Sequence, residues 1–113
     1  MEDVMPRQPD TLQGTLDLLI LTTLDREPNH GFGITLHIQT ASMGMLQVEE
    51  GSLYPALHRL EREKLIRGAW KITDNGRRAR YYRLTPAGSR RLSKARQSWD
   101  ALTEGVGKML RYV

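Results

Sequence analysis

Cysteine is absent from all 113 residues, which excludes a disulfide frame and any thiolate metal site and leaves packing alone to hold the fold. Long apolar runs are missing too. The longest, Leu16 to Leu24, is interrupted by Asp17, Thr22 and Thr23 and falls short of the ~20 residues a membrane span needs. The N-terminus, MEDVMPRQPD, has neither the basic start nor the apolar stretch of a secretory signal, so a cytoplasmic location without membrane contact is expected. His30, His37 and His58 stand too far apart for one chelating motif, and no HExxH pattern joins them, so no metal is expected. Gly31-Phe32-Gly33 lacks the third glycine and the preceding strand of a dinucleotide loop and reads as a tight start to a helix. Ser52 has no adjacent base and no nucleophile elbow. Catalysis has no foothold, and no cofactor is expected.

What the chain does have is polarised charge. Residues 58–96 carry 13 Lys/Arg against three acids, Glu61, Glu63 and Asp74, whereas residues 1–57 carry two bases against eight acids. The net charge of +4 hides this asymmetry. A one-sided basic field attracts polyanions and speeds their encounter, which points to nucleic acid, with anionic membrane as the competing partner.

At this length the chain suits one compact domain with an appendage. Asp10 can cap a first helix, with Gln13 closing a capping box and Leu12, Leu16, Leu19, Ile20 and Leu24 at helical spacing. Pro28, Asn29 and Gly31 end it, and a second helix is expected from about Phe32 to Ser42, with Ile34 and Ile38 toward the core. A short strand is expected at Leu46–Val48. A third helix begins near Ser52 as its cap, with Pro55 early enough that its missing donor costs nothing. Leu53, Leu57 and Leu60 face inward and Tyr54, His58, Arg59 and Arg62 outward. Ile66, Trp70 and Ile72 alternate on one strand and Tyr82 with Leu84 on another, joined at Asp74-Asn75-Gly76, which gives a two-stranded wing. Thr85-Pro86 then starts a fourth helix running toward Val113, ~40 Å long and longer than the body it leaves. On it Leu92, Ala95, Trp99, Leu102, Val106, Met109 and Val113 step by three and four, a heptad seam suited to a two-fold dimer.

The expected fold is therefore mainly α with a small β wing (α+β): a flexible tail over 1–9, a winged helix-turn-helix domain over 10–85 and a dimerisation helix over 86–113. Such a fold reads duplex DNA by laying its last helix in the major groove. Ser52, Tyr54 and His58 are placed to reach base edges, while Arg59, Arg62 and Lys64 suit phosphates, which fix register without carrying sequence information. Arg77, Arg78 and Arg80 on a thin protrusion suit a minor groove or its flanking phosphates.

At these residues the chain resembles the PadR family of bacterial transcriptional regulators, in its short members that end in a single dimerisation helix. Three stretches carry the likeness: LQGTLDLLIL at 12–21 with HGFGI at 30–34, EEGSLYPALHRLEREKLI at 49–66, and NGRRARYYRLTPAG at 75–88. The resemblance implies a homodimeric winged-helix repressor whose last helix reaches into the partner subunit. The departure is at the C-terminus, which stops soon after the seam and carries Gly105 and Gly107. Some short relatives bind flat aromatic drugs between paired tryptophans at the dimer interface, and Trp99 stands at the corresponding place. On its own residues Trp99 reads as an ordinary interface anchor.

The resulting expectation is a homodimeric repressor bound to a near-palindromic operator. Two alternatives stand beside it: a sensor with a small-molecule effector at Trp99, and a winged-helix module for protein assembly in which the arginines only solubilise.

Overall fold

The computed structural model describes residues 11–113, with side chains from Gly14 onward. Its elements are α1 (Thr11–Arg26), β1 (Asn29–His30), α2 (Gly31–Ala41), α3 (Glu50–Arg62), β2 (Ile66–Ile72), β3 (Arg78–Leu84) and α4 (Pro86–Leu110). The expected cap at Asp10, the capping box through Gln13 and the place of Leu12 lie outside the described residues. From Leu16 onward α1 behaves as its sequence requires. Ile20, Leu21 and Leu24 are buried, Leu16, Leu18 and Leu19 pack against the same core, and the buried Thr23 hydroxyl donates to the Leu19 carbonyl at 2.8 Å.

His30 opens α2. Its extended backbone is followed by the helix, and its Nδ1 accepts from the Gly33 amide at 3.0 Å, filling the place usually taken by Ser, Thr, Asp or Asn. Ile34 and Ile38 then enter the core. Between α2 and α3 the chain turns through Met43 and Gly44, both at positive φ, and Leu46 donates to the Ser42 hydroxyl at 3.0 Å. The strand expected at Leu46–Val48 does not form. Val48 instead packs on the core as part of an irregular approach to α3.

Two further expectations about α3 are corrected. The helix starts at Glu50 with Glu49 as its cap, so Ser52 lies inside the first turn and its amide donates to the Glu49 carbonyl. Pro55 is therefore within the helix, and the Gly51 carbonyl loses its usual i+4 donor, at an exposed position open to water. The apolar side is as expected. Leu53, Leu57 and Leu60 are fully buried, each contributing about 1.5–3 kcal/mol relative to exposure. Lys64 ends the helix in the left-handed region (φ 64°): the Leu65 amide reaches back to Leu60 O and that of Lys64 to Glu61 O, a Schellman closure without glycine.

The sheet has three strands in the order β1-β3-β2, one more than the sequence suggested. Asn29 pairs with Tyr82 and His30 with Tyr81, a two-residue strand too short to show any alternation. β2 and β3 pair from Ile66–Leu84 at the root to Ile72–Arg78 at the tip. Ile66 and Tyr82 belong to the core, but Trp70 and Ile72, expected on the same face, stand 56% and 66% exposed because the hairpin projects past the helices. The connection Thr73–Arg77 closes through Gly76 at φ 81°, whose amide donates to Thr73 O.

The Thr85 hydroxyl joins three elements. It lies 2.8 Å from Lys64 O and 3.0 Å from Leu65 O, and it accepts from the Gly88 amide at 3.0 Å, capping α4. Pro86 follows at the first helical position. A Cβ at Gly88 would run into the Leu65 carbonyl, so glycine lets α4 seat directly on the turn after α3. The 25 residues of α4 span ~38 Å, and the longest dimension of the molecule is 57 Å against 30 and 25 Å, because this helix leaves the body.

Candidate nucleic-acid interface

The sequence-predicted residues fall on two flanks of α3 and on the wing. Gly51, Ser52, Tyr54, Pro55, His58 and Arg62 form its exposed arc. On one flank Tyr54 and His58 face the wing across a groove of about 1120 Å³, whose other wall carries Trp70, Arg77, Arg78 and Arg80. His30 and Phe32 from the start of α2 close its end, where the His30 ring meets Tyr81 edge-on at 5.0 Å. Tyr54 is anchored as well as displayed: its ring lies against Gly31, where an added Cβ would be 2.7 Å from the phenol oxygen. On the other flank Ser52, Arg59 and Arg62 border a second groove, of about 800 Å³, formed with Leu16 and Leu19 of α1 and with Leu46 and Val48.

The arginines divide by their partners. The Arg59 side chain is mostly covered and its Nη2 is 2.5 Å from Asp17 Oδ1, with Glu63 at 3.8 Å, so its guanidinium is turned toward the body. Its pKa is raised, first by the bond to Asp17, against the lowering effect of burial. Arg80 is likewise engaged, 2.6 Å from Glu61 Oε2. Among the described residues no acid pairs with Arg62, Lys64, Arg77 or Arg78. Arg78 lies 4.7 Å from the Trp70 ring centroid, a cation–π contact that stiffens the hairpin without neutralising the charge. Lys64 sits at the far end of α3, away from its exposed first turns.

Sequence reasoning passed over several groups. Gly51 and Pro55 share the exposed arc of α3, and a Cβ on Gly51 would meet nothing within 4 Å among the described residues, so none of their contacts explains the glycine. Arg67, Lys71 and Arg83 occupy the opposite face of the wing, all exposed. The alternation of the two strands was the available signal for them, because it assigns odd-numbered residues of both strands to one face.

Of the seam residues, Leu92 is a correction. It is 2% exposed within a single chain and belongs to the core with Ile20 and Leu24, so the outward seam begins at Ala95. Trp99, Leu102, Val106 and Met109 are exposed, at 40%, 47%, 47% and 77%. Val113 lies beyond the end of the helix.

A helix-turn-helix of α2 and α3, followed by a hairpin at the edge of the same exposed surface, defines a winged-helix protein. The sequence profile of the "Transcriptional regulator PadR-like family" matches residues 20–94. The chain belongs to that family and is a transcriptional regulator, not an enzyme. It is similar to a transcriptional regulator of Mycobacterium tuberculosis, 39% identical over 77 residues, which cover 68% of each chain. Among solved structures it is similar to a PadR-like transcriptional regulator from Bacillus cereus, at 31% identity and a TM-score of 0.76 over 90% of this chain and 97% of that one. A transcriptional regulator from Clostridium thermocellum superposes with a TM-score of 0.81 at 25% identity, over 91% of this chain and all of the other. No helix among the described residues is long and apolar enough to cross a membrane.

Proposed function

We propose that the chain is a sequence-specific, homodimeric repressor that occupies a near-palindromic operator. The observation that carries this reading is the groove shared by α3 and the wing, flanked by Arg77 and Arg78, which no acid among the described residues pairs. In this arrangement the exposed arc of α3 enters the major groove and contacts base edges through Ser52, Tyr54 and His58. Arg62 and Lys64 lie toward phosphates, and the wing cations lie at the flanking minor groove. The outward seam from Ala95 to Met109 supports dimerisation. An apolar stripe on a helix that leaves its own body needs a second surface, and a two-fold copy of itself is the commonest solution. Pairing through α4 sets the distance between two reading helices, and half-sites then fall about one helical turn apart or a multiple of it.

The test is selection of genomic fragments by the purified protein. Enrichment of a palindromic sequence supports the reading, and recovery of random fragments overturns it. A second reading rests on Trp99. Its large exposed ring on the seam suits a flat aromatic effector held against its symmetry mate. Such an effector changes DNA binding only if it binds the two dimer states unequally. Quenching of tryptophan emission by planar aromatic cations, abolished by Trp99→Ala, supports this site, and an unresponsive emission across a broad panel removes it.

A further inference from the structure

Glu61 lies on the flank of α3 that faces the wing, and one oxygen of its carboxylate holds both strands of the hairpin. Oε2 accepts from the Gly68 amide of β2 at 3.1 Å and from Arg80 Nη2 of β3 at 2.6 Å. In the ladder Trp70 pairs with Arg80 and Gly68 with Tyr82, so the Arg80 side chain must cross over Gly68 to reach the helix. The absence of a side chain there is what permits the crossing: a Cβ on Gly68 would lie 2.5 Å from Arg80 Nε. Glycine weakens a strand interior, and its presence commonly marks this kind of close approach. The guanidinium, so placed, stands 5.9 Å from both the Trp70 and Tyr82 ring centroids, which confine it on two sides.

This arrangement matters because the root of the wing is packed through Ile66, Tyr82 and Leu84, whereas Trp70 and Ile72 further out are exposed. Two-stranded hairpins are marginal alone, and beyond Gly68 the strands project past the helices. The third strand, β1, supports only Tyr81 and Tyr82 near the root.

We propose that Glu61 is a positioning residue: with Gly68 and Arg80 it forms a latch that fixes the angle between the α3 helix and the wing, so that the two meet duplex DNA as one rigid unit. The proposal rests on the DNA-binding reading above. It makes Arg80 a strut and leaves Arg77 and Arg78 as the groove-lining cations of the wing that remain for phosphate. A competing account has Glu61 merely offsetting one positive charge. The two differ in sign, because removing an acid from a surface that faces phosphates strengthens binding if the acid only repels, and weakens it if the acid positions.

Two variants of the full chain separate them. Glu61→Ala removes the carboxylate, whereas Gly68→Ala keeps that charge and displaces Arg80. A latch predicts that both lower affinity for the selected operator by about tenfold, since a wing no longer preorganised must be ordered on binding. It also predicts loss of hydroxyl-radical protection at the flanks with the central protection kept. Tighter binding by Glu61→Ala together with an unchanged Gly68→Ala protein would overturn the proposal. Thermal melts report whether each variant folds.

A measurement on the wild-type protein covers the case in which one does not. The Gly68 amide resonance should follow an acid titration with a midpoint below the ordinary carboxylate value, and Arg80→Met should move that midpoint upward. A Gly68 amide that ignores acid titration removes the latch. If the wild type ignores every duplex, the DNA reading fails instead, and this titration still decides whether the latch exists.

Discussion

Arg59 Nη2 stands 2.5 Å from Asp17 Oδ1, a bond that ties α3 to α1 across 42 positions of sequence. Both side chains are about four-fifths covered, so the pair is worth more than a surface ion pair and less than a fully buried one. Arg59→Ala is expected to lower stability by about 1–2 kcal/mol, with Asp17→Asn producing part of the same loss. Denaturant melts of the two single variants and the double variant measure the coupling. Additive losses would show that the bond contributes nothing, and Arg59 would return to the pool of phosphate-binding cations.

Gly51 offers a case in which stability and function should move apart. Alanine at this exposed helical position should stabilise the fold by about 0.5–1 kcal/mol, because the added Cβ meets none of the described residues and backbone entropy is saved. If the bare arc at Gly51 and Pro55 lies against base edges, Gly51→Gln should weaken operator binding severalfold while leaving the fold intact. Titration of both variants against operator DNA decides this, and unchanged affinity in both would place the DNA elsewhere on α3.

The division between reading and clamping is open to a direct comparison. Tyr54→Ala should reduce affinity for the operator far more than for random duplex, and Arg78→Ala should weaken both by similar factors. Equal ratios from the two variants would show that the division is wrong.

Leu92 and Leu102 lie three turns apart on α4 and should respond in opposite ways. Leu92→Ala leaves a cavity in the core of each chain and should cost about 2–5 kcal/mol without altering the oligomeric state. Leu102→Asp should leave the fold intact and yield monomers in sedimentation, because a carboxylate buried at the seam has no compensating partner. An unchanged dimer would relocate the interface.

Acid should loosen the wing before it unfolds the body. Burial by itself would raise the Glu61 pKa, but the bonds from Arg80 and the Gly68 amide outweigh it, and the net shift is downward from 4.5. A carboxylate with a lowered folded pKa contributes stability that is complete above its unfolded value and lost as pH falls through the folded one. Stability should therefore decline below about pH 4.5 in the wild type and decline less in Glu61→Gln. Parallel acid melts of the two proteins would contradict the assignment.

Much of this architecture was legible in the residues, because periodicity and punctuation report on burial and chain direction. Leu53, Leu57 and Leu60 declared the buried side of α3, and Thr85-Pro86 declared the start of α4. What stayed hidden depended on contacts between distant parts. A heptad pattern records which side of a helix is apolar and not what covers it, so Leu92 read as interface although its own chain buries it. Arginine counts record charge and not its partners, so Arg59 and Arg80 read as free cations although Asp17 and Glu61 hold them. The two-residue β1 carries no pattern, and its pairing is set by where β3 happens to pass.

The salt dependence of duplex binding bears on all of these points together. If each dimer neutralises about eight phosphates, the logarithm of the association constant for the selected operator should fall with the logarithm of salt concentration at a slope of roughly −7. Arg78→Ala should make that slope shallower by about two per dimer, one for each wing. A flat response, or a protein that ignores duplex DNA at low ionic strength, would contradict the DNA-binding account.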